Sequence, residues 1–226
     1  MMKHKILVVE DEPSLSKIMK YDLENVGFNV LLAHDGEEAY RLAKTETFDC
    51  LIVDWMIPKM DGLTFIKKIR AEGYKQLIVM LTARGTEFDT IEGFSSGADL
   101  YLKKPFSNRE LIAQIKALFK RFEKEKPSSL SGYGDIKIDH LQFKTFIKNK
   151  EIELTKLEFE LLKLLLENQT QVISRDDILS KVWGFKYDGV TRIVDVHVYN
   201  LKQKIKESKA SIRSVRGVGY AITIAD

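Results

Sequence analysis

Cys50-Leu51-Ile52-Val53-Asp54 is a run of four apolar residues closed by an acid. Nothing in the run alternates. A strand with one wet face shows a polar residue at every second position, so an unbroken apolar run points to a strand covered on both faces. The same signature recurs outward at 6–9, 30–33, 77–81 and 100–102. Helical spacing fills the gaps. Leu15, Ile18, Met19, Leu23 and Val26 are spaced to share one face, with Pro13 in the opening turn and Gly27 as the stop. Further helices are predicted near 36–46, 63–72, 86–96 and 107–122. Five strands alternating with five helices predict an α/β fold, a doubly wound five-stranded parallel sheet.

In such sheets ligands bind beyond the C-terminal ends of the strands, where the strand order reverses. For the flavodoxin-like order 2-1-3-4-5 that point lies between the first and third strands. Glu10 and Asp11 follow the first strand and Asp54 ends the third, so three carboxylates are expected side by side. Their mutual repulsion suits a hard divalent cation, and Mg²⁺ fits a small oxygen-lined site that also holds a phosphoryl group. Taken alone, Glu10 and Asp11 read equally as helix caps ahead of Pro13. The fourth strand, however, ends in Thr82-Ala83 and the fifth in Lys103-Lys104-Pro105, bringing a hydroxyl and an ammonium to the same edge. Carboxylates, metal, hydroxyl and lysine together make a phosphoryl site, in which Asp54 can act as a nucleophile on phosphorus and form an acyl phosphate.

Glu10-Asp11, the segment Asp54-Trp55-Met56-Ile57-Pro58-Lys59-Met60-Asp61-Gly62, Thr82-Ala83 and Tyr101-Leu102-Lys103-Lys104-Pro105-Phe106 resemble the receiver domains of two-component response regulators over about residues 3–122. The resemblance implies that Asp54 is the phosphoacceptor. It implies that Asp11, Asp54 and the backbone carbonyl of Met56 bind Mg²⁺, with Glu10 acting through water. Thr82 would hydrogen-bond the phosphoryl group and Lys104, rather than Lys103, would pair with it. Lys104–Pro105 would be a cis bond. Thr82 and Tyr101 would form a switch in which Tyr101 rotates inward behind Thr82; the plain alternative for Tyr101 is a half-buried strand aromatic.

The bulk properties bound the rest. The 226 residues suit two small domains, and 44% hydrophobic with 31% charged side chains is ordinary for globular protein and too apolar for disorder. Cys50 is the one cysteine, so no internal disulfide framework exists; it reads as a small core residue, compatible with a reducing compartment. No signal-peptide pattern or membrane-length apolar stretch is found, which predicts a cytoplasmic protein without membrane insertion. The net charge of +3 is unevenly placed: residues 1–126 carry 20 basic and 20 acidic side chains, 127–226 carry 16 and 13, and 190–220 carry 7 and 2. A basic patch near the C-terminus hints at a polyanion partner.

Residues 123–134 are charged, then rich in Ser, Pro and Gly, and read as a linker. Drawn as domains, 1–122, a 123–132 linker and 133–226 are expected. The second half is α+β: short strands at 136–139, 142–148 and 152–154, helices near 156–167, 175–183 and 190–207, and a closing β-hairpin at 212–215 and 220–224 around Arg216-Gly217-Val218-Gly219. The segments Leu154-Thr155-Lys156-Leu157-Glu158-Phe159-Glu160-Leu161-Leu162, Val172-Ile173-Ser174-Arg175, Val182-Trp183-Gly184, Arg192-Ile193-Val194-Asp195-Val196-His197-Val198 and Val215-Arg216-Gly217-Val218-Gly219-Tyr220 resemble winged helix-turn-helix domains of the OmpR/PhoB type over about 133–224. On a helical wheel, Val190, Val194, Val198, Leu201 and Ile205 form a core arc. Arg192, Asp195, Val196, Tyr199, Lys202, Gln203 and Lys206 lie opposite, with Asn200 at the edge, a face suited to the major groove of double-stranded DNA. A merely solvated face is the bland alternative. The resemblance places Arg192, His197, Tyr199 and Lys202 near phosphates, Ile193, Val196 and Asn200 near base edges, and Arg216 of the wing in the minor groove. It also places 183–190 where RNA polymerase can touch.

By the same resemblance a sensor histidine kinase supplies the phosphoryl group, and phosphorylation drives homodimers through the fourth helix, fifth strand and fifth helix, concentrating two DNA-binding domains on promoter DNA. Three cross-dimer ion pairs are usual on that face. Here the positions read Thr90 with Glu110, Leu100 with Gln114, and Asp99 with Arg121, and only the third keeps both charges, which predicts a weaker or less phosphate-dependent dimer. Two rival readings are an aspartyl phosphatase, against which Met56 stands where a second acid is usual, and a regulator of this architecture that ignores phosphorylation.

Overall fold

The computed structural model describes residues 4–83, 96–123, 130–184 and 192–224, apart from the side chains of 121–123 and 130. The chain groups into two compact units, Met1–Ala113 and Gln114–Asp226. The division falls within a helix, Asn108–Glu123, that the sequence reading places at 107–122 in the first domain, with Glu123 in the linker.

The first unit alternates as expected: β1 Lys5–Val9, α1 Pro13–Asn25, β2 Asn29–Ala33, α2 Gly36–Thr45, β3 Cys50–Asp54, α3 Gly62–Ala71, β4 Leu77–Thr82, β5 Leu100–Lys103, and α4 Asn108–Glu123 leading out of it. The helix expected at 86–96 lies essentially outside the described residues. The sheet is parallel, in the order β2-β1-β3-β4-β5. Every residue of β3 and β4 is buried, which is why neither alternates. Side-chain caps fix where two helices begin. Asp35 accepts from the Glu38 amide at 2.8 Å and Asp61 from the Thr64 amide at 3.0 Å, each satisfying an amide that has no partner within its helix. Helix α1 corrects the expected stripe. Ser16, Met19 and Leu23 are buried, whereas Ile18 is exposed, and so is Val26, which caps the C-terminus just outside the helix.

The second unit opens with an antiparallel sheet of β6 Leu130–Tyr133, β7 Ile136–Asp139, β8 Lys144–Ile147 and β9 Lys150–Ile152, in that order. Residues 130–132 were expected in the linker. They pair with β7 instead, and Gly132 is required there because a Cβ would stand 2.4 Å from the Ile136 carbonyl oxygen. Helices α5 Lys156–Glu167, α6 Arg175–Trp183 and α7 Arg192–Lys204 follow, and the strands β10 Ile173–Ser174, β11 Ala210–Val215 and β12 Gly219–Ile224 form a sheet in the order β10-β12-β11. Helix α5 carries a complete capping box, Thr155 with Glu158, and α6 is capped by Ser174 and closed by Gly184 in the left-handed region. The wing is the β11–β12 hairpin, turned by Gly217 at φ 74°. The core of the second unit includes Trp183, Leu161, Leu165, Ile193, Val194 and Leu201, all at or near zero exposure. Val190 lies outside the described residues.

Candidate functional site

The acids meet at the C-terminal edge of the parallel sheet. Glu10 follows β1, Asp54 ends the neighbouring β3, and each is buried, at 1% and 6% exposure; Asp11 is exposed. One carboxylate oxygen from each of Glu10, Asp11 and Asp54 lies within 4.8 Å of the others. An all-oxygen set of that size could hold a hard divalent cation.

Lys104 reaches into the same pocket from beyond β5. Its Nζ donates to Glu10 Oε2 at 2.8 Å and to Asp54 Oδ2 at 2.6 Å. Its amide donates to the Thr82 carbonyl at 2.7 Å, and the following bond to Pro105 is cis, as expected. Electrostatics follow from burial. Desolvation raises the Glu10 carboxyl, partly offset by the Lys104 hydrogen bond. Burial alone would lower the Lys104 ammonium, but hydrogen bonds to Asp54 and Glu10 overturn that and leave it raised. The lysine is therefore held charged between two buried acids.

The loop after β3 is built tightly around Asp54. The Met56 amide donates to Asp54 Oδ1 at 3.2 Å, the Trp55 amide to the Leu81 carbonyl at 2.9 Å, and the Gly62 amide to the Trp55 carbonyl at 2.9 Å. Gly62 admits no side chain, since a Cβ would lie 2.2 Å from the Asp54 carbonyl oxygen. Thr82 is buried at the end of β4, and Tyr101 is buried on β5 with its hydroxyl 2.8 Å from the Met80 sulfur.

The expected dimer pairs fare differently. Asp99 is 1% exposed and its carboxylate accepts from Arg70 Nη2 at 2.6 Å and from the Ile78 amide at 2.8 Å. Leu100 and Gln114 are buried and Glu110 is exposed, while Thr90 and the side chain of Arg121 lie outside the described residues.

In the second unit, Arg192 and Tyr199 are exposed on α7, Val196, Asn200 and Lys202 are half-buried on it, and Arg216 is exposed at the wing tip. Ile193 and His197 are corrections: they are 0% and 3% exposed, and His197 stacks edge-on to Trp183 at 5.2 Å. Both lie on the buried side of α7, whereas the resemblance sets them near DNA. Most of the 183–190 segment lies outside the described residues.

Sequence reading assigned no role to Arg175 or Tyr220 and left Asp195 merely on the polar face. Arg175 Nε donates to Asp195 Oδ1 at 2.7 Å, Arg175 Nη2 donates to the Tyr220 hydroxyl at 3.3 Å, and that hydroxyl donates to the same Asp195 oxygen. The Arg175 guanidinium also lies 4.9 Å from the Tyr220 ring centre. These residues stand on three different elements, so no local spacing signals the cluster.

Comparison with known proteins agrees with this architecture. Residues 6–116 match the response regulator receiver domain and residues 149–222 match the C-terminal domain of transcriptional regulatory proteins. The chain is 42% identical to the alkaline phosphatase synthesis transcriptional regulatory protein PhoP of Bacillus subtilis, over 98% of this chain and 97% of that one, and 36% identical to the transcriptional regulatory protein SrrA of Staphylococcus aureus, over 99% and 97%. Among solved structures it is similar to a RitR mutant (26% identity, TM-score 0.76) and to DrrB, an OmpR/PhoB homologue of Thermotoga maritima (30%, TM-score 0.53), each over 98% of this chain and all of the other. A receiver sheet with its acid pocket, followed by a winged-helix DNA-binding domain and matched along nearly its whole length by such regulators, makes this chain a member of the OmpR/PhoB family of two-component response regulators, and so a transcriptional regulator.

Proposed function

We propose that the chain is a phosphorylation-dependent regulator in which Asp54 accepts a phosphoryl group from a sensor histidine kinase. The observation that carries this reading is the Lys104 ammonium bridging Glu10 and Asp54 beside Asp11. A carboxylate oxygen of Asp54 attacks the phosphorus of a phosphohistidine. The O–P bond forms as the P–N bond breaks, and the imidazole nitrogen leaves with the bonding pair and takes a proton from solvent. Asp11, Asp54 and the Met56 carbonyl would hold a Mg²⁺ ion, with Glu10 acting through water, and such an ion would supply positive charge to offset that on the phosphoryl oxygens. Lys104 then exchanges its hold on the Asp54 carboxylate for a phosphoryl oxygen, and the Thr82 hydroxyl donates to another. The acyl phosphate is lost to water, with no external substrate turned over. Thr82 and Tyr101 relay the state of residue 54 through β4 and β5.

Taken as 1–122, the receiver then favours a homodimer that brings two output domains to promoter DNA in the cytoplasm. Helix α7 enters the major groove, with Arg192, Tyr199 and Lys202 at phosphates and Val196 and Asn200 at base edges; Arg216 enters the minor groove. RNA polymerase meets the 183–190 segment. None of the helices among the described residues is long and apolar enough to cross a membrane.

Incubation with acetyl phosphate and Mg²⁺ tests the first step by intact mass. One phosphoryl group is expected on the wild type and none on Asp54→Asn. Well-folded protein left unmodified at residue 54 would refute the reading. Genome-wide binding that is the same for wild type and Asp54→Asn would instead mark a regulator that ignores phosphorylation.

A further inference from the structure

Asp195 sits on the face of α7 that carries Arg192 one turn before it and Tyr199 one turn after it. A carboxylate there points its charge toward the position proposed for a DNA backbone, where it opposes binding. The structure gives that charge two donors. Arg175, the first residue of α6, supplies Nε, and Tyr220, on β12 of the wing, supplies its hydroxyl to the same oxygen. Arg175 closes the triangle by donating to the Tyr220 oxygen and lying against its ring. Lys202, two turns beyond Asp195 on α7, extends the arrangement: its Nζ is 5.9 Å from the Tyr220 ring centre and donates to Ser214 Oγ of β11 at 3.3 Å.

Three elements that must present one surface are thereby tied through a single carboxylate oxygen. A charge-assisted bond from a planar guanidinium fixes direction as well as distance, which an ammonium cannot do. The triangle joins α6, α7 and the wing at one oxygen, and with the Lys202–Ser214 bond it helps to set the angle between helix and wing. Tyr220 is buried and its phenol is pushed up to about 12, first by burial and then by the Asp195 carboxylate, so it stays a donor across the working range.

We infer that Arg175 is a positioning residue for DNA recognition, which neutralises Asp195 and locks the wing to the recognition helix without itself reading a base. The inference rests on the proposed DNA contacts of α7 and the wing. Its test uses the full-length protein and duplexes that the wild type enriches from a random pool, in three variants: Arg175→Ala, Arg175→Lys, and Arg175→Ala combined with Asp195→Asn.

Arg175→Ala exposes an uncompensated acid and is expected to weaken binding roughly 10- to 100-fold, the range of one lost charge-assisted bond. Arg175→Lys should recover only part. The double variant removes the repulsive charge and should regain about tenfold over Arg175→Ala, with the steepness of the salt dependence equal to that of the wild type. A merely structural role for Arg175 predicts lost thermal stability with no rescue by Asp195→Asn, and overturns the inference. So does a direct phosphate contact, which would flatten the salt dependence by about one unit of slope in both Ala variants. If the wild type enriches no sequence and shows no salt-dependent affinity, the DNA reading itself fails, and the inference with it.

Discussion

Replacing Lys104 by methionine keeps the length of the side chain and removes the one cation among the described groups of the acid pocket. Glu10 and Asp54 are then two buried carboxylates facing each other without the ammonium that bonds both at 2.6–2.8 Å. Breaking a buried ion pair by removing one partner costs about 3–5 kcal/mol. The Lys104 side chain is 22% exposed, so water takes part of the load, and about 2–4 kcal/mol is expected here. Hydrogen exchange read on peptides from β1 and β3 should show the loss as roughly 30- to 900-fold less protection in EDTA. Magnesium should restore much of it, because a divalent cation on the same acids does what the ammonium did. At a hundredfold excess over its Kd the recovery is about 2.7 kcal/mol, and the wild type, already neutralised, should gain less in protection than the variant. Protection equal to the wild type in EDTA would refute the assigned role of Lys104, and a loss that magnesium does not reverse would refute the acids as its ligands.

Other consequences are open to measurement. Because Lys104 is raised above its ordinary value of 10.5, its stabilisation is complete below that pH and is lost as pH climbs through the folded value; alkaline unfolding followed by circular dichroism should show a step that Lys104→Met lacks. Gly62→Ala drives a Cβ into the Asp54 carbonyl and should cost about 1–3 kcal/mol while slowing phosphorylation, read by melting and by intact mass. Asn200→Ala should relax selectivity at one base position, and equal losses on selected and random duplex would remove Asn200 from the base-reading set; Arg216→Ala should weaken binding with only modest relaxation. Sedimentation with and without an acyl-phosphate mimic should show weak or weakly phosphate-dependent dimers, since Asp99 is engaged by Arg70; tight, strictly phosphate-dependent dimers would contradict that.

Much of this was legible in the chain because each receiver strand announces itself by an unbroken apolar run, and each functional residue falls at the end of one. Four such ends, placed by a known strand order, fix the pocket from sequence. The unread parts share a cause. Residues 130–132 pair as a strand although Ser and Gly signal a linker, because backbone partners in β7 decide pairing and side-chain composition does not. Ile193 and His197 were placed at DNA by resemblance alone; the wheel put neither on the polar arc, and both are buried. Asp99 looked available for a partner chain because Arg70, which holds it, lies 29 residues upstream on another helix. The Arg175, Asp195 and Tyr220 cluster was invisible for the same reason.

The separation of the pocket's parts along the chain carries a consequence for synthesis. Glu10 meets Lys104 across 94 residues and Asp54 meets it across 50, and the lysine follows the last strand added to the sheet. A growing polypeptide that has already left the ribosome through residue 54 still lacks the group that completes the acceptor. Under the phosphotransfer proposed above, a receiver whose final strand has not docked lacks the Lys104 ammonium at its acceptor, so completion of the fold comes before competence to be charged.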